Sequence, residues 1–221
     1  MGSTENIGNV EKESTGKKPE VDGREVWEVH EGERRESGPV HVIMTALFIG
    51  IGIVVGTFGS LAVPIGFVSA FWPGQAVQAV GAVWFGGWGI IAGTIFPVIS
   101  NTISGSAPLP VSLAYLPGNA VQAGLAAWAM KRFNAHPALK TRRDWAIFIV
   151  FGVIAANFVG SLWGSGILLA FGLITSQAWP VVWVGWWIGN TIPGIIFGGI
   201  LLKFVSPVII DSKAFVKNWW A

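Results

Sequence analysis

The stretch GAVWFGGWGII, residues 81–91, decides whether the apolar run around it is one helix or two. That run, 73–104, contains no Asp, Glu, Lys or Arg. As a single helix it would reach ~48 Å at ~1.5 Å per residue, against a bilayer hydrocarbon layer of ~30 Å. A modest tilt does not absorb that excess. Gly86, Gly87 and Gly89 mark the natural break, because glycine lets the backbone leave the helical region at no steric cost. Two short helices follow, over about 73–85 and 88–101.

Composition agrees with a membrane setting. The chain has 221 residues, of which 52% are hydrophobic and 12% charged, with 30 Gly, 13 Trp and a mean hydropathy of +0.59. Soluble domains carry roughly 25% charged residues. The charges are also segregated: 42–130 and 145–202 hold none. Charge-free runs beyond ~18 residues are transmembrane candidates. With no Cys there is no disulfide framework or thiolate site. The chain opens on a polar segment and not on a basic and apolar leader, so no cleaved signal peptide is expected.

The expected fold is an all-α membrane protein, a six-transmembrane-helix bundle with short or Pro-broken helices. Its spans fall at about 41–58, 73–85, 88–101, 110–130, 145–169 and 180–202. Residues 1–38 carry ten acidic and six basic side chains and form a disordered polar tail. The transmembrane domain covers 39–205, and 206–221 is a short C-terminal tail ending in NWWA, an interfacial aromatic pair.

Charge orients the bundle. Linkers after the first, third and fifth spans are uncharged. Lys131, Arg132, Lys140, Arg142 and Arg143 lie on the other side, with Lys203, Lys213 and Lys217. The positive-inside rule makes that side cytoplasmic, with both termini inside a multi-pass cell-membrane protein. If the break at 86–89 failed, five spans would remain and the acidic tail would move outside.

Ionisable groups at depth, which pumps and membrane enzymes use, are missing from the spans. No His pair at metal-ligand spacing and no paired carboxylates occur. The expectation is a non-enzymatic protein with no metal, no cofactor and no nucleic-acid partner. What remains is neutral polarity and aromatic rings: Tyr115, Asn119 and Gln122 on the fourth span, Asn157, Ser161 and Trp163 on the fifth, and Trp183, Trp187 and Asn190 on the sixth. These suit a cavity for a small neutral or cationic, ring-bearing solute. The same groups also serve as interhelical glue and interfacial anchors, Trp179 above all. PGQAVQAV (73–80) and PGNAVQAG (117–124) repeat an amide pair, Gln75 with Gln78 and Asn119 with Gln122. Pro97, Pro117 and Pro193 each free a backbone carbonyl inside a span. Ala46, Gly50, Gly52 and Gly56 give the first span a small-residue stripe on which a helix of this chain or of another subunit packs.

Two resemblances follow. The segment 76–132 resembles the S components of energy-coupling factor transporters, those for thiamine precursors and related vitamins, and the likeness extends over about 41–205. It rests on the Gly-bounded turn at 86–89, the outer loop at 104–110, Pro117 with Gly118, and the basic end at Lys131 and Arg132. Membership would imply a substrate-binding subunit capturing a vitamin-like or heterocyclic solute. A coupling transmembrane subunit and ATPase subunits would be its partners, with Ala46 and Gly50 as the docking stripe. The long acidic tail departs from that pattern. The chain also resembles MASE-type membrane sensor domains of bacterial signalling proteins, through Trp72 with Pro73 and through Trp186-Trp187-Ile188-Gly189-Asn190. Those domains normally have more helices and a cytoplasmic output domain, for which a chain ending at Ala221 leaves no room. The transporter subunit is therefore the first expectation and the sensor the alternative.

Overall fold

The computed structural model describes residues 23–33, 35–66 and 68–221. In chain order come α1 (Gly23–Trp27), α2 (Pro39–Ala62), a small hairpin of β1 (Pro64–Ile65) and β2 (Val68–Ser69), and α3 (Gly74–Ser104). Then follow α4 (Leu109–Ala114), α5 (Leu116–Arg132), α6 (Arg142–Ile147), a π-helix at Phe148–Ala155, α7 (Ala156–Ala170) and α8 (Trp179–Ile210). The hairpin is antiparallel, with Pro64 opposite Ser69 and Ile65 opposite Val68.

Four helices are long and apolar enough to cross a membrane: Pro39–Ala62, Gly74–Ser104, Arg142–Ala170 and Trp179–Ile210. Length and apolarity alone therefore do not give the expected six. The second and third expected spans fall within α3, and the fourth is divided into α4 and the 17-residue α5. The chain turns back inside α3, however. Gly86 is non-helical at φ 55°, ψ −129°, a backbone region closed to residues with a Cβ. A Cβ on Gly89 would overlap the Gly81 carbonyl oxygen, and one on Gly93 would lie 3.3 Å from Gln78 Cα. Residues 74–85 and 87–104 therefore lie antiparallel in close contact.

Proline explains two of the contacts that hold this arrangement. Pro97 has no N–H for the carbonyl four residues back, Gly93, and the Gln78 side chain donates to that oxygen at 2.8 Å. Pro193 likewise leaves the Gly189 carbonyl open inside α8, and the Trp72 backbone N–H fills it at 2.9 Å. The second bond ties the segment after β2 to α8.

The Gly86 turn and the basic segments meet at one end of the molecule. Gly87 N–H donates to Trp219 O at 2.7 Å, and Val216 N–H to Trp84 O at 2.9 Å. Lys131 Nζ donates to the carbonyls of Val216 at 2.7 Å, Lys217 at 3.0 Å and Asn218. Trp84, Phe85, Met130, Leu139, Phe148, Leu202 and Phe215 form the core there. A smaller cluster at the opposite end joins Val68, Ala107, Val111, Tyr115 and Leu168.

Of the segment expected as a disordered tail, residues 1–22 lie outside the described residues. Residues 23–33 and 35 are attached to the bundle at a few points and otherwise mostly exposed: Trp27 Nε1 donates to Ala135 O at 2.9 Å, and Glu33 pairs with Lys217 at 2.7 Å and with Arg35 at 2.6 Å. One buried indole and a charge pair anchor a sequence otherwise poor in apolar groups. The C-terminal segment also differs from a free tail. α8 continues to Ile210, and Phe215 and Val216 are fully buried.

Candidate functional site

Between the hairpin and the bundle lies a cavity of about 40 Å³. It is lined by Ser60, Val68, Ser69, Ser106 and Ala107, and by Trp72, Pro97, Asn101 and Trp186. Tyr115, Asn119, Gln122 and Asn190 complete the lining. No Asp, Glu, Lys, Arg or His is among the described residues that line it.

Helix spacing positions these groups. Asn119 and Gln122, three apart on α5, share a face. Trp186 and Asn190, four apart on α8, do the same. Tyr115 stands at the α4–α5 junction, its ring edge-on to Trp186 with centroids 5.3 Å apart. Asn119 is 6% exposed, Asn190 2% and Tyr115 4%. The Asn119 Nδ2, Asn190 Nδ2 and Tyr115 Oη atoms have no hydrogen-bond partner among the described residues. Eleven buried side-chain polar atoms lack a partner among the described residues, and three of them belong to residues that line this one cavity, where a ligand or ordered solvent can satisfy them.

Behind the cavity, Gln122 Nε2 donates to Asn157 Oδ1 at 2.8 Å and to Gln75 Oε1 at 3.3 Å. These two bonds join α5, α7 and α3. The repeated amide motif thus divides its labour. Gln75 and Gln122 belong to the network, Asn119 faces the cavity and Gln78 closes a kinked helix.

Of the eight residues singled out from sequence, Tyr115, Asn119, Gln122 and Asn190 line the cavity, and Asn157 sits one hydrogen bond behind it. Three tryptophans lie elsewhere. Trp163 is 45% exposed, packs on Gly118 and donates to Ala114 O at 2.9 Å. Trp183 stacks between Trp179 and Trp187, with Phe158 edge-on to both Trp183 and Trp187. Trp187 Nε1 donates to Ile154 O in the π-helix at 3.0 Å. The cavity uses Trp186 and Trp72 instead. The spacing of Trp186 from Asn190 was the available signal for the first. Ser69 reaches the cavity from the two-residue strand β2 and Trp72 from the loop after it, segments too short for periodicity to carry a signal.

The small-residue stripe of α2 is also divided. Cβ atoms on Gly52 and Gly56 would meet Phe96 and Ser100, so those glycines pack within the chain. Ala46 and Gly50 are exposed on the outer face of α2.

A family model described as MASE1 matches residues 41–210. It covers the hairpin, the cavity and every helix from α2 to α8. No curated protein and no solved structure matches the chain. The match falls on the second of the two families that the sequence resembles, and nothing found supports the transporter S component or vitamin uptake.

Proposed function

The chain belongs to the MASE1 family of membrane-integral sensor domains found in signalling proteins, and from that premise we propose that it detects a small solute in the cavity lined by Tyr115, Asn119 and Asn190. The observation that carries this reading is the set of three buried polar groups without a protein partner around one cavity. The protein acts in this reading by binding and conformational change, and not by catalysis.

The reading includes a topology of six passes with both described ends on the cytoplasmic side of a multi-pass cell-membrane protein. The reversal at Gly86 supports it, as does the gathering of Lys131, Lys217 and the Gly86 turn at one end. The cavity then opens outward beneath the hairpin. The signal runs along α3, which carries Gln75 near the cavity and holds the C-terminal segment through Trp84 and Gly87 at its other turn.

The absence of native cysteine makes the test direct. Single cysteines at Ser106 and Ser176 are expected to react with an impermeant maleimide from outside, and cysteines at Trp88 and Asn134 only after permeabilisation. With a cysteine at Asn218, fractions of low-molecular-weight solutes are expected to change the labelling rate, and Asn190→Leu to abolish the response. A rate indifferent to every fraction and to Asn190→Leu overturns the sensor reading. Labelling of Trp88→Cys from outside overturns the topology.

A further inference from the structure

The chemistry of the cavity narrows what it takes. We propose that the ligand is an uncharged, compact solute bearing both hydrogen-bond donors and acceptors, such as a primary amide or a urea; this rests on the sensor reading above.

Size comes first. At about 40 Å³ the cavity clears the ~10–15 Å³ that a single water needs and falls far short of the ~300–1,000 Å³ of drug-sized pockets, which favours a compact solute. A fused or two-ring heterocycle is not of that kind. Charge comes second. No ionised side chain lines the walls, and an ion moved there from water loses its hydration with no opposite charge to compensate. Hydrogen bonding comes third. Asn119 and Asn190 each offer a carbonyl and an NH2 group, and Tyr115 offers a hydroxyl that both donates and accepts. A neutral ligand with one carbonyl and one NH2 group satisfies this set in a way that a hydrocarbon or a pure acceptor does not. The Trp72 and Trp186 rings supply apolar walls for a planar group. A probe of about four heavy atoms, such as acetamide, binds no tighter than about tens of micromolar.

Acetamide, acetate and acetamidinium have nearly the same shape and differ in charge. Each is titrated at pH 8 into the full chain in lipid nanodiscs, with tryptophan emission and thermal shift as readouts. Acetamide is expected to saturate, with both ions at least about 100-fold weaker. Asn119→Asp is expected to reverse the order in favour of acetamidinium, a gain that a misfolded variant does not show. Tighter binding of acetate or acetamidinium by the unaltered protein overturns the neutral class and leaves the sensor reading standing. No saturable response to any of the three, with Asn119→Asp equally silent, overturns the cavity as a solute site and leaves it a hydrated polar core.

Discussion

The Gln78 side-chain amide lies 2.8 Å from the Gly93 carbonyl oxygen, the oxygen that Pro97 cannot serve. A side chain on one arm of the α3 hairpin thus repairs a backbone defect in the other. The bond is also selective for this geometry, because a continuous helix would carry residues 78 and 93 more than ~20 Å apart. Gln78→Leu is expected to destabilise the protein by about 1 kcal/mol, in the range for polar contacts between membrane helices. Pro97→Ala restores the missing N–H, so the double variant should recover most of that loss. A double-mutant cycle of unfolding in mixed micelles checks the coupling, and additive losses would show that the two residues act independently.

Gly86 and Gly89 govern the reversal for different reasons. Gly86 adopts a positive φ of 55° with Trp219 O 2.7 Å from the position of a Cβ, while Gly89 faces the Gly81 backbone directly. Alanine at either position is expected to destabilise the protein by roughly 3 kcal/mol, because backbone would have to move, and so to lower its melting temperature sharply. Gly50→Ala meets nothing within 4 Å and serves as the neutral control. Thermal unfolding of the three variants side by side makes the comparison.

His136 links stability to pH at the basic end. Burial first, then Lys140 and Lys203, holds its imidazole down to about 4 against an ordinary 6.5, while Asp144 acts in the opposite direction. Its neutral Nδ1 accepts the Ala138 N–H at 3.0 Å, a role that a protonated ring gives up. Between about pH 6.5 and 4 the unfolded chain binds a proton that the folded chain refuses. Stability is therefore full above 6.5 and declines as pH falls through that window. Melting temperatures from pH 7 to 5 should fall for the unaltered protein, and His136→Asn should flatten the slope.

Glu33 adds a pH dependence only at lower pH. Hydrogen bonds from Lys217 and Arg35 hold its carboxyl down to about 2 against 4.5. The stabilisation is present above 4.5 and lost as pH falls toward 2. Glu33→Gln should therefore make the C-terminal segment more protease-sensitive at neutral pH, with the largest change near Lys217. Equal digestion rates for the two proteins would contradict the clamp.

The π-helix at Phe148–Ala155 leaves a carbonyl for Trp187, whose indole N–H reaches Ile154 O at 3.0 Å. Trp187→Phe keeps the stacked ring and removes that donor. The expected result is faster amide exchange over 148–158 and a loss of about 1 kcal/mol, with the Tyr115 end unchanged. Uniform exchange across the chain would instead indicate general loosening.

The sequence alone determined the membrane character, the sorting of charge to one side and the break at Gly86. Those properties are carried by composition and local backbone chemistry: a charge-free run needs lipid, and a glycine cluster releases a helix wherever it sits. It also showed that Pro97 and Pro193 would free carbonyls, without showing that Gln78 and Trp72 would take them. Which amides met one another was left to the tertiary structure. Gln75 and Gln78 are three residues apart and both fully buried, yet one joins the network around Gln122 and the other closes the hairpin. Likewise the adjacent Trp186 and Trp187 point to the cavity and to the outer stack. Successive side chains on a helix diverge by ~100°, and the π-helix and the break at Gly86 shift that phase between helices. The face each group presents is therefore decided only when all the helices pack together.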